Sequence, residues 1–223
     1  KTVRVTNVDT QFVDFNSYTY GAAPVVSSIS PAIGSVDGST LVTLTGTGFV
    51  SGASVTIGAT SCTGVIVASF TQATCSTGAN FAGTFDVTLT NPDTQFGTLS
   101  SGYEYRTPPT LSTIVPGGGS TVGGTAVTLN GSNFRAGSTV RFDGLSATGF
   151  SFVNSSTITV NTPAHPAATV NVTVTDPDGI VGTLVSGYSY GTPPTVSSIS
   201  PALGTTIGGT NVTITGTGFL AGS

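Results

Sequence analysis

One set of words recurs along this chain at a fixed step, and that periodicity constrains its fold more than any other feature. Pro24-Val-Val-Ser-Ser-Ile-Ser-Pro31, Pro109-Thr-Leu-Ser-Thr-Ile-Val-Pro116 and Pro194-Thr-Val-Ser-Ser-Ile-Ser-Pro201 begin 85 residues apart, and Phe49, Phe134 and Phe219 keep the same step. Self-similarity at a fixed period marks a tandem array in which each repeat is one structural unit. Complete repeats are expected at 23–107 and 108–192. Residues 1–22 read as the C-terminal part of a module, because Thr6-Asn-Val-Asp-Thr-Gln-Phe12 matches Thr90-Asn-Pro-Asp-Thr-Gln-Phe96, and Tyr18-Thr-Tyr20 matches Tyr103-Glu-Tyr105 and Tyr188-Ser-Tyr190. Residues 193–223 open a further module. The missing part corresponds to 139–169, so a window cut from a longer array is preferred over half-modules that complete each other between chains, which would still lack the middle strands.

Within a repeat, apolar and hydroxylated residues alternate with the period of two that half-buried strands require. In the first complete repeat Val26 and Ile29 belong to an opening strand that ends at Pro31, and 33–40 reads as a turn. Val42 and Leu44 then face one side and Thr43 and Thr45 the other, with Phe49 as a core plug after the strand. Ser54–Ile57 and Val65–Val67 are the next strands. The closing hairpin carries Val87 and Leu89, turns at Asn91-Pro-Asp93, and returns to Tyr103 and Tyr105. The second repeat supplies Leu111, Ile114, Val127, Leu129, Phe134, Val172, Val174, Tyr188 and Tyr190 at the same places. The third begins again with Val196, Ile199, Val212, Ile214 and Phe219. About seven short strands separated by turns imply two sheets packed face to face. Thr107-Pro-Pro109 and Thr192-Pro-Pro194 join the modules, and paired prolines predict stiff joints.

The words Pro-x-Val-x-x-Ile-x-Pro, Gly-Gly-Thr-x-Val-Thr-Ile (Gly208–Ile214) and Gly-Thr-Gly-Phe (Gly46–Phe49, Gly216–Phe219) closely resemble the IPT/TIG family, of the extracellular and cell-surface type. The resemblance covers essentially the whole chain. It implies an all-β protein of tandem immunoglobulin-like (E-set, IPT/TIG) β-sandwich modules. It does not by itself imply an activity, because one fold serves many functions.

Charge and hydropathy exclude several classes. Charged residues are 6% of the chain against roughly 25% in ordinary soluble domains, so Ser, Thr and Asn must keep the surface wet. Mean hydropathy is +0.31, yet no apolar run approaches the roughly 20 residues of a spanning helix. Rel-type transcription factors carry a related module. With 5 Lys and Arg against 9 Asp and Glu, and no basic block, nucleic acid is not an expected partner, since phosphate neutralisation needs clustered cations.

Chemistry-bearing residues are few. Gly187-Tyr-Ser-Tyr-Gly191 has the letters of a nucleophile elbow but lies at a strand end, and its sister reads Gly102-Tyr-Glu-Tyr-Arg106. Gly46-Thr-Gly48 and Gly216-Thr-Gly218 read as strand ends, not dinucleotide loops. His165 reads as a loop histidine, and Asp176-Pro-Asp178-Gly179 as a turn in preference to a calcium seed. No catalytic residue, metal site or cofactor is expected, and no enzyme activity. Cys62 and Cys75 are the only cysteines; a disulfide is expected, the alternative being two buried free thiols, and a bridge implies an oxidising compartment. Asn130-Gly-Ser132, Asn154-Ser-Ser156, Asn171-Val-Thr173 and Asn211-Val-Thr213 match the N-glycosylation pattern.

The expected protein is therefore a structural one at the cell surface or outside the cell, forming a filament, sheath or adhesive fibre by self-association. A receptor or adhesin ectodomain with a protein ligand is the alternative, as are spacer or carbohydrate-binding modules of a secreted polysaccharide-acting enzyme with a glycan ligand.

Overall fold

The computed structural model describes residues 2–16 and 21–218. Among these, every regular element is a strand, and no helix is long and apolar enough to cross a membrane. The chain divides into two compact units, Lys1–Thr107 and Pro108–Ser223.

In the first unit, a four-stranded sheet runs in the order Val25–Ser30, Leu41–Thr47, Gln72–Ser76, Thr63–Ser69. A five-stranded sheet runs Ile33–Ser35, Phe96–Arg106, Gly83–Thr90, Ser54–Ile57, Thr60–Ser61. Alternation places Val42 and Leu44 of the first sheet against Val55, Ile57, Val87 and Leu89 of the second, all buried in one core with Val26, Ile29 and Phe49. Burying each such side chain contributes about 1.5–3 kcal/mol, which makes this layer the main source of stability. Tyr103 and Tyr105 close the core edge to face, their ring centroids 4.9 Å apart.

The segment 33–40, read from sequence as a turn, begins instead with the short strand Ile33–Ser35. The chain leaves the four-stranded sheet at Ser30, crosses the cis Ser30–Pro31 bond, and pairs parallel with the closing strand, Gly34 opposite Tyr105. Glycine is required there. A Cβ on Gly34 would collide with the Tyr103 hydroxyl and with Thr40 Oγ1, and one on Gly119 would collide with the Tyr188 hydroxyl and Thr125 Oγ1.

The second unit repeats this plan. Its four-stranded sheet is ordered Thr110–Val115, Ala126–Ser132, Thr157–Asn161, Thr148–Asn154, and its five-stranded sheet Gly118–Ser120, Val181–Gly191, Ala168–Thr175, Thr139–Phe142, Leu145–Ser146. Leu111, Ile114, Val127, Leu129, Phe134, Val172, Val174, Tyr188 and Tyr190 are buried together.

Each unit also carries one isolated hairpin. Val3–Thr6 pairs with Phe12–Phe15 in the first, and Thr195–Ser200 with Thr213–Thr217 in the second. Val196, Ile199, Val212 and Ile214 are exposed in this partial module, Ile214 at 51% where its counterpart Leu44 is at 0%. The pattern along the strand is the same in both. What differs is that a two-stranded sheet has no second sheet across its apolar face. Phe219, Tyr18 and Tyr20 lie outside the described residues.

Candidate functional site

The polar residues singled out by sequence are placed one by one at joints of the sandwich. Asn91, at the tip of the closing hairpin, is buried; its Oδ1 accepts from Val50 N at 3.1 Å and its Nδ2 donates to Gly48 O at 2.8 Å. One amide thus pins the Gly46-Thr-Gly-Phe49 strand end to the hairpin. In the second unit Asp176 takes the same place, also buried, but turns inward on its own loop, where Oδ1 accepts from Asp178 N and Ile180 N, both at 2.9 Å. Those bonds use the Asp176 carboxylate as a turn former. No group of three or more His, Cys, Asp or Glu able to hold a metal occurs among the described residues.

Ser189 lies inside the closing strand Val181–Gly191 and pairs with Gly118. Its hydroxyl accepts from Thr169 Oγ1 at 3.4 Å, and the next regular element is the strand Thr195–Ser200. A nucleophile elbow needs a helix there. Gly46 and Gly216 are the next-to-last residues of their strands, Leu41–Thr47 and Thr213–Thr217.

His165 is more engaged than a loop position suggests. Its backbone N–H donates to Thr121 O, its Nδ1 lies 2.7 Å from Pro166 O, and its Nε2 lies 3.3 Å from Asp143 Oδ2. The ring stacks on Tyr190 at 4.9 Å. The first repeat carries Asn80 at this position, whose backbone N–H makes the same bond to Val36 O. That shared bond, invisible without the fold, explains why two unlike side chains occupy one structural place.

A second paired device sits at the bulge of each closing hairpin. Ser101 and Ser186 have φ near +50°, and their backbone N–H groups donate to Asp86 Oδ1 at 2.7 Å and Asn171 Oδ1 at 2.9 Å. Neither bond could be foreseen from sequence, because a bulge leaves no letter pattern of its own.

The bridge expected between Cys62 and Cys75 is not formed: both stand as buried free thiols. They nonetheless face each other. Cys62 follows the edge strand Thr60–Ser61 of one sheet, and Cys75 pairs with Val42 in the other. The hydrogen bond from Cys75 draws the Cys62 thiol below its ordinary range, while that same bond, with burial, pushes Cys75 up.

The tyrosines are packing groups. Burial pushes Tyr105 and Tyr190 up to about 12, and the Tyr105 hydroxyl donates to Gly78 O at 3.0 Å. Their aromatic edge-to-face contacts contribute about 0.5–1.5 kcal/mol each beyond area burial.

Comparison with known proteins agrees with this plan. Over 201 residues the chain is 30% identical to mouse (Mus musculus) fibrocystin-L, a match covering 89% of this chain and 5% of that protein. It is 33% identical over 211 residues to the contact site A protein of Dictyostelium discoideum, covering 89% of this chain and 38% of that one. The chain therefore spans only a small part of one relative and under half of the other. Among solved structures, the full extracellular region of plexin A4 aligns with 22% identity and a TM-score of 0.47, over 88% of this chain and 18% of that one. The IPT/TIG domain model matches residues 24–105, 109–191 and 194–223. The chain belongs to the IPT/TIG domain family.

Proposed function

We propose that this chain is a stretch of extracellular or cell-surface protein whose IPT/TIG modules act as non-enzymatic structural and adhesive units. The observation that carries this reading is the use made of its polar residues. Asn91, Asp176, Asp86, Asn171 and His165 each hold a loop or bulge in register, so the side chains that could do chemistry are spent on holding the sandwich. The same plan is then built twice, 85 residues apart. Repetition of an architecture is what extension and multivalent contact require.

Self-association into a filament, sheath or layer is the finer form of the proposal. The 6% charged composition supports it, because a surface with so little charge has weak electrostatic repulsion between copies. The test is a bead assay. Beads coated with the chain should cluster with one another and, at higher density, build ordered fibres visible by electron microscopy. Beads that stay dispersed, yet capture a protein or glycan from a defined panel, would replace self-association with ligand binding.

A further inference from the structure

We infer that Asn154 is an N-glycan acceptor, and that its sugar covers the free edge of the second module's four-stranded sheet. Four Asn-x-Ser/Thr words occur, and the fold treats them differently. Asn130 lies within the strand Ala126–Ser132 and its Nδ2 donates to Thr113 Oγ1. Asn171 lies within Ala168–Thr175 with Oδ1 committed to the Ser186 bulge. Asn211 precedes the strand of the isolated hairpin. Asn154 alone sits at the tip of a sandwich hairpin, exposed, where Ser155 and Ser156 make the turn between Thr148–Asn154 and Thr157–Asn161.

The local geometry separates the turn's needs from the acceptor's. Asn154 Oδ1 accepts from both Ser156 N and Ser156 Oγ, each at 2.8 Å, and no hydrogen bond of its Nδ2 occurs among the described residues. In the first module the corresponding turn is made by Ser69, which bonds Thr71 N at 3.2 Å and Thr71 Oγ1 at 3.2 Å. A serine therefore suffices for the turn. The amide nitrogen of Asn154 is the additional group, and it stands beside a hydroxyl two residues on, as the acceptor pattern requires.

The position also has a use for a sugar. Thr148–Asn154 is the edge strand of its sheet. It exposes Phe150, Phe152 and Val153, where the first module's Val65 and Val67 pack against the core. No charged residue stands between Asp143 and His165 to keep these exposed apolar side chains from associating with another surface. A hydrophilic glycan at the hairpin tip supplies that protection.

The co-reactant is a lipid-pyrophosphate-linked oligosaccharide. The Asn154 Nδ2–C1 bond forms, and the sugar C1–O bond breaks with its electron pair leaving on the pyrophosphate. The amide nitrogen gives up one proton to the transferase's base.

This inference rests on the extracellular reading, and its test separates the two. The full chain is secreted from a glycosylating eukaryotic cell line, and glycopeptides are mapped by mass spectrometry after enzymatic release in heavy-oxygen water. Asn154 should be occupied in most molecules. Asn154→Gln and Ser156→Ala should each abolish that glycan, while Ser156→Thr retains it. Enzymatic removal of the sugar should shift the secreted chain toward larger species on gel filtration. A secreted, folded chain with bare Asn154 overturns the inference and leaves the surface reading standing. Unchanged elution after deglycosylation overturns the edge-covering role.

Discussion

Closing the Cys62–Cys75 pair tests whether the two sheets are already positioned for a covalent link. Both cysteines are buried in one core, Cys62 after the edge strand of one sheet and Cys75 within the other, so a bridge between them would tie the two sheets together. With glutathione disulfide as oxidant, the Cys62 thiolate attacks one sulfur, releasing reduced glutathione. Cys75 then displaces the second glutathione to form the bridge. The closed loop from Cys62 to Cys75 spans about 14 residues, for which the chain-entropy relation gives roughly 3 kcal/mol at 25 °C. For a module of this size that corresponds to a rise of about 12–24 °C in the melting of the first unit. Calorimetry of the oxidised and reduced chain, with free-thiol counts before each scan, reads the effect. The double variant Cys62→Ala, Cys75→Val places the second module's Ala147 and Val160 in the same positions; it should melt with the reduced protein and ignore oxidant. Thiols that remain titratable after oxidant, or an oxidised form melting at or below the reduced one, would refute the premise that the sulfurs are in bonding register.

Two further perturbations probe the frame. Gly182→Ala drives a Cβ into the Pro109 carbonyl oxygen, whereas Gly191→Ala meets nothing within 4 Å. Overpacking against backbone should therefore cost about 1–3 kcal/mol in the first variant and under about 0.5 kcal/mol in the second, by urea denaturation; equal losses would sink the close-approach argument. Asn91→Ala strands the Val50 N–H and Gly48 carbonyl, and should cost about 2–4 kcal/mol by the same assay with faster amide exchange at Val50.

How much of this was legible beforehand depends on how local the signal is. Val42, Leu44, Val87 and Leu89 could be read because alternation is a property of neighbouring residues, and each does lie in the core. Ile33–Ser35 was misread because its strand character comes from parallel pairing with residues about 70 positions later. The same holds for Asn91, Asp86 and His165, whose partners are distant or defined only by a bulge.

The edges of the sheets bear on the adhesive proposal. Pairing of Thr63–Ser69 with its neighbour shifts register between Thr63 and Ile66 and again between Val67 and Ser69. Thr148–Asn154 shifts at the corresponding places, between Thr148 and Ser151 and between Phe152 and Asn154. Irregular edges resist the addition of another strand, because an incoming chain needs an unbroken row of donors and acceptors. In a chain so poor in charge, backbone irregularity thus performs the protective work that Lys or Glu performs elsewhere. Contact between copies, in the proposed role, therefore belongs to side chains on the faces and loops. It should survive single edge-strand proline substitutions such as Ile66→Pro, provided the module still folds, and continuous strand addition would require the opposite.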